Sequence, residues 1–164
     1  MTDGALVVGY GNALRTDDGI GPRVAAALAG DPRFDGVTVF ARHQLTPELA
    51  LDVSLARLVV LVDAGHGPLP GTFAIAPIEP TGSGSGASSH HLDPETLLAL
   101  AAELYGPVPA AFSIRVGAGS LELGDELTPG VEAALPDVVD ALAGLIAAHA
   151  GSSAGTLVGS AVHA

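Results

Sequence analysis

The chain has 164 residues, 48 % of them hydrophobic and 15 % charged, with a net charge of −12 at pH 7. That length and balance suit one globular domain with an ordinary core and exclude a disordered chain. The six basic residues are all Arg and Cys is absent, which argues against nucleic acid or an acidic membrane as partner and removes disulfides, thiolate metal sites and cysteine nucleophiles.

Residues 5–9 (ALVVG) form a short continuous apolar run ended by Gly, the pattern of a buried parallel strand. A polar loop follows, then a helical period over 21–28 with Pro22 in its first turn and Gly30 as its stop. Residues 37–40 give a second strand. Thr46, Pro47 and Glu48 open a second helix, with Thr as N-cap and Pro at the first helical position. Residues 58–62 (LVVLV) are the most apolar strand, with Asp63 at its carboxyl end. Residues 71–75 make another strand. The Gly/Ser-rich segment 81–89 reads as a mobile loop. Asp93 and Pro94 start a helix to about Tyr105, and 112–116 is a strand. Thr128 and Pro129 cap a last helix to about His149, and 151–164 reads as a flexible tail.

Strands alternate with helices. The expectation is therefore one α/β domain over 1–150, an α/β/α sandwich around a mainly parallel five-stranded sheet. No run approaches 18 consecutive apolar residues, so no transmembrane helix is expected. The first residues carry Asp3 and no basic segment, so no signal peptide is expected and the cytoplasm is the default compartment. The acidity keeps the chain soluble and leaves room for weak attraction of cations or a basic peptide.

Three segments carry residues suited to chemistry. The first is the loop from Gly9 through Gly11, Asn12, Asp17 and Asp18 to Gly21. Its G-x-G touches the dinucleotide fingerprint, but Leu14 stands where the third Gly belongs, and two acids would face the phosphates. The glycines also suit a tight turn, and the acids suit a helix N-terminus. Adjacent side chains there point apart, so one can cap while the other faces a cleft. The second is Asp63, costly to bury at the end of an apolar strand unless paired, protonated or metal-bound, yet also an ordinary loop starter. The third is His90-His91, a ligand and its neighbour or two solvated histidines. Two carboxylates and an imidazole suit a borderline divalent metal such as Ni, Zn or Mn, and in such sheets ligands gather at the carboxyl ends of the strands.

The order of these pieces resembles the hydrogenase maturation endopeptidase family across nearly all of 5–149. The most specific part is G-x-G-N-x-L-x-x-D-[DE]-x-x-G, present as Gly9, Gly11, Asn12, Leu14, Asp17, Asp18 and Gly21. Asp63-Ala64 is similar to the family's second acidic position, Ser89-His90-His91-Leu92 to its histidine position, and Ser120-Leu121-Glu122 with Leu127-Thr128-Pro129-Gly130-Val131-Glu132 to the stretch before the last helix. The resemblance implies an aspartyl-type endopeptidase in which Asp18, Asp63 and His90 bind nickel. It implies that the nickel arrives inside the precursor of a NiFe hydrogenase large subunit, whose C-terminal extension is cut off after a basic residue. A departure is Ala41-Arg42-His43-Gln44-Leu45-Thr46, where many relatives carry an acidic-Gly-Gly-Thr type stretch.

No G-x-S-x-G elbow and no H-E-x-x-H occurs, which leaves metal-assisted hydrolysis as the simplest chemistry. The rival readings are a nickel-binding hydrogenase chaperone or sensor that never cleaves, and a nucleotide-binding module. A monomer is expected, with no nucleotide, nucleic acid or membrane as partner. Asp17 is read as mainly a helix-start residue, so Asp17→Asn is expected to do less harm to metal binding and cleavage than Asp63→Asn.

Overall fold

The computed structural model describes residues 4–81 and 92–163. Five strands form one sheet: β1 (Ala5–Tyr10), β2 (Thr38–Arg42), β3 (Leu58–Pro70), β4 (Phe73–Pro77) and β5 (Ala110–Gly117). Their order is β2-β1-β3-β5-β4, with β4 antiparallel to β5 and every other pair parallel. The helices are α1 (Ile20–Leu28), α2 (Leu49–Leu55), α3 (Pro94–Tyr105) and α4 (Pro129–His163). The expected α/β/α sandwich around a mainly parallel five-stranded sheet is what forms.

The layers follow from strand alternation. Val7, Val60, Val62, Ile114 and Val116 face α1 and α4, where they meet Ile20, Val24, Leu28, Val131, Val138 and Leu142. Leu6, Val8, Val59, Leu61 and Ala111 face α2 and α3, against Leu49, Val53, Leu97 and Leu98. Both faces of β1 and β3 are thus buried, which is why their sequences run apolar without alternation. In α1 the buried Ile20, Val24 and Leu28 recur every fourth residue, one stripe of a helix.

The crossovers fix where a site can lie. From β1 the chain runs through α1 to β2 on one side of β1, and from β2 through α2 to β3 on its other side. The connections leave β1 and β3 in opposite directions. This opens a crevice at their carboxyl ends, the usual ligand position in such sheets.

Several boundaries differ from the sequence expectation. β3 does not stop before Asp63 but runs to Pro70, because Asp63, Ala64 and Gly65 keep pairing with Arg115, Val116 and Gly117 of β5 before a bulge. Asp63 still marks an end: the β1 pairing stops at Gly9 and Val62, so one edge of β3 is open from Asp63 onward. α2 starts at Leu49 with Glu48 as N-cap and no side-chain cap bond. The Thr46 and Pro47 carbonyls instead accept turn bonds from Leu49 and Ala50. The Asp93 cap holds, its Oδ1 accepting from Thr96 N at 2.7 Å. α4 contains Pro136 and continues past His149 to His163. Most of the expected Gly/Ser loop, with His90 and His91, lies outside the described residues.

Candidate active site

The loop 11–19 returns the chain from the end of β1 to the start of α1, and its motif residues are the ones that shape it. Gly11 has φ of +145°, and a Cβ there would overlap the carbonyl oxygen of Asp18. Only Gly permits that turn and that approach. Gly9 and Gly21 touch backbone to backbone, so β1 and α1 pack closer than any side chain allows. The Asn12 side chain accepts from Leu14 N at 2.9 Å, a local turn suited to Asn. Asn12 N then donates to Asp18 Oδ2 at 2.6 Å.

The acidic pair divides as adjacent side chains should. Asp18 turns toward the crevice. Asp17 is fully buried, and its carboxylate accepts four bonds. Oδ2 takes Gly119 N at 2.7 Å, Ser120 N at 3.0 Å and the Thr128 hydroxyl at 2.7 Å. Oδ1 takes Thr128 N at 2.7 Å. Burial by itself would raise this carboxyl, but the Thr128, Gly119 and Ser120 donors outweigh it and hold the carboxyl below its ordinary range. Asp17 is therefore not mainly a start residue of its own helix. It is the pin that fastens loop 118–128 and the entry of α4 to the β1–α1 loop. The Thr128 hydroxyl, expected to cap α4, is committed to Asp17. Thr16, at a strained φ of +54°, is held by bonds to Gly124 O and Glu122 O, and Arg15 Nε donates to Leu121 O at 3.0 Å.

Asp63 lies on the α2/α3 side of β3, between a neighbour on each adjoining strand. Tyr10, the last residue of β1, hydrogen-bonds it from one side. Arg115 of β5, paired in register with it, places Nε 3.6 Å from Oδ1 on the other. Burial raises the Asp63 carboxyl and the nearby Asp18 charge adds to it; Arg115 and the Tyr10 hydroxyl pull the other way, and the net shift is upward. Burial first, then the Asp63 charge, push the Tyr10 hydroxyl far above its ordinary range, so it remains a donor.

Asp18 and Asp63 line one cleft of about 340 Å³ together with Tyr10, Gly11, Asn12, Arg15, His43, Gln44, Leu45 and Leu92. The structure thus brings together the two predicted carboxylates. His90 lies outside the described residues, while Leu92, two positions later, lines the same cleft. Among the described residues no group of three His, Cys, Asp or Glu could hold a metal ion. His43 and Gln44, from the segment that departs from the family pattern, contribute to the cleft wall. A larger hollow of about 520 Å³ lies at the opposite end of the strands, beside Ala5 and Leu58, away from the acids. Tyr10 and Arg115 were not anticipated. Their signal was strand parity: Arg115 is the one charged residue of β5.

No protein-family model matches the chain, and no curated protein does. Solved structures do. The hydrogenase 2 maturation peptidase from Thaumarchaeota archaeon SCGC_AB-539-E09 shares 26 % identity over 87 % of this chain and 97 % of its own, with a TM-score of 0.64. The hydrogenase maturating endopeptidase HybD from E. coli shares 26 % over 84 % of this chain and 88 % of its own, TM-score 0.64. The [NiFe] hydrogenase maturation protease HycI from Thermococcus kodakarensis KOD1 shares 25 % over 86 % and 90 %, TM-score 0.68. The doubly wound fold and these likenesses define a single-domain α/β peptidase. Within that class, the solved structures it is similar to are hydrogenase maturation endopeptidases.

Proposed function

We propose that this peptidase removes the C-terminal extension from a NiFe hydrogenase large-subunit precursor that already carries its nickel. The observation that carries the reading is the meeting of Asp18 and Asp63 in one cleft at the carboxyl ends of β1 and β3. Asp18 Oδ2 is occupied by Asn12 N, which fixes the carboxylate and leaves Oδ1 for a ligand. Asp63 is fixed by Tyr10 and Arg115. Two oriented carboxylates, with the His90 that the family resemblance adds, would make a donor set suited to nickel. The remaining coordination comes from the precursor's own thiolates, which this Cys-free chain cannot supply. When bound, nickel so presented would supply Lewis-acid polarisation of the scissile carbonyl or a water, with Asp18 and Asp63 as its protein ligands.

The rest falls to this chain. Water adds to the scissile carbonyl carbon, and its proton passes to a carboxylate. Asp63, raised by its burial, can take that proton, since a base works best with a pKa near the working pH. The proton then moves to the leaving amine as the C–N bond breaks. The cytoplasm is the proposed compartment and a monomer the proposed working form. Among the described residues no helix is long and apolar enough to cross a membrane.

The test sets three substrates side by side: nickel-loaded precursor, apo precursor and casein, read by mass spectrometry. Only the nickel-loaded precursor should be cut, once, near its C-terminus. Binding without cutting would favour the chaperone reading, and rapid cutting of casein would point to a general protease.

A further inference from the structure

A fixed positive charge beside a cation ligand works against the ligand. Arg115 is such a charge, standing 3.6 Å from Asp63, and the fold takes care to put it there. Arg115 and Asp63 are in register on adjacent strands. Gly65, on the same side of β3, bears no side chain, and a Cβ there would overlap Cγ and Cδ of Arg115. The arginine stem therefore lies flat across the β3 backbone, which aims its Nε at the carboxylate. Tyr10 holds Asp63 from the opposite side, so the carboxylate cannot simply turn away. The Asp63 side chain is 18 % exposed and that of Arg115 48 %, so the guanidinium also reaches toward solvent.

Hydrated and thiolate-bound metal ions meet this charge differently. A hydrated divalent ion brings its full charge and is repelled by the guanidinium. An ion wrapped in thiolates has that charge cancelled or reversed, so the guanidinium no longer opposes it. We infer that Arg115 is a selectivity residue: it keeps Asp63 paired against free divalent cations and yields it only to a metal delivered inside an anionic ligand set. This rests on the peptidase reading above and explains how a site with two carboxylates avoids filling with stray ions before the precursor arrives.

The test needs no cleavage. Nickel sulfate is titrated calorimetrically into the wild type, Arg115→Gln, Arg115→Met and Arg115→Lys, after circular dichroism has verified folding. Arg115→Met keeps an unbranched stem, so it carries the test if the Gln variant misfolds. The Gln and Met variants should bind free nickel roughly tenfold tighter than the wild type, the effect of one charge on a divalent ion about 5 Å away through a water-like dielectric. Arg115→Lys, which keeps the charge, should stay within about twofold of the wild type on the same electrostatic argument. Nickel pre-complexed with a Cys-x-x-Cys peptide should show no gain in either neutral variant. No gain in free-nickel affinity, or an equal gain in Arg115→Lys, overturns the inference. Failure of the wild type to process nickel-loaded precursor would instead remove the peptidase reading and leave these affinities standing.

Discussion

Replacing Asp17 by Asn tests the claim that this residue is a structural pin. The side chain is fully buried and accepts three backbone N–H bonds and one hydroxyl. Asn puts an NH₂ where one oxygen stood. In its better orientation the amide oxygen replaces Oδ2 and keeps three bonds at neutral strength, while the NH₂ faces Thr128 N–H. One buried donor is then unmet, at ~1–3 kcal/mol, and three bonds lose charge assistance at ~0.5–1 kcal/mol each. The total, about 3–6 kcal/mol, is a large part of the ~5–15 kcal/mol that holds a domain together. At ~2–4 °C per kcal/mol for a chain of this size, the melting temperature should fall by roughly 6–24 °C. Thr128→Val, which removes the hydroxyl donor and leaves the backbone bond, should cost less, and the two changes should not add, because they share a bond. Thermal melts of the two single variants and the double variant at neutral pH provide the measurement. The acid limb supplies the sign. The folded carboxyl lies below its ordinary value, so its contribution is present above ~pH 4 and is lost as pH falls through the folded value. Asp17→Asn should flatten that limb. A melting temperature within ~2 °C of the wild type, under about 1 kcal/mol for a chain of this size, would refute the reasoning.

Asp63→Asn should behave in the opposite way for stability. Burial raises its folded carboxyl, so stability falls as pH rises from the ordinary carboxylate value through the raised one, and the cost persists above it. The variant should therefore melt higher than the wild type at pH 7 while losing cleavage of the nickel-loaded precursor; a lower melting temperature would show that Tyr10 and Arg115 stabilise the charge more than burial opposes it. Gly11→Ala should abolish cleavage without touching an ionisable group, because its Cβ overlaps the Asp18 carbonyl at a positive φ. Gly30→Ala, also at positive φ but with open space around it, should cost only ~1–2 kcal/mol and leave cleavage intact. Equal activity in the two variants, by gel shift of the precursor, would rule out the turn as the device that places Asp18.

The fold was legible wherever burial and sequence pattern coincide. Residues 58–62 read as a strand because both faces of β3 are covered there. Residues 64–70 gave no such signal, since Ala, Gly, His and Pro form no apolar run and the strand is sustained by its partner β5 and a bulge. The start of α3 was legible because Asp93 and Pro94 act locally, through a cap bond three residues away. The start of α2 was not, because its Thr-Pro pair served a preceding turn with the same residue preferences. Local chemistry can be read from local sequence; long-range pairing cannot.

The acidic pair shows the same limit at the site. Spacing alone could say that Asp17 and Asp18 diverge; the family resemblance is what favoured Asp18 for the cleft. It could not say what Asp17 meets, because its partners are 102 to 111 residues away. Yet two of those partners, Ser120 and Thr128, fall inside the second stretch that resembles the family before its last helix, and Gly119 directly precedes it. The two motifs are therefore two halves of one joint, closed by the Asp17 carboxylate. That joint accounts for two acids side by side in the loop. One acid must face the cleft. The other is buried, so that the loop bearing the first is tied to loop 118–128 and the entry of α4.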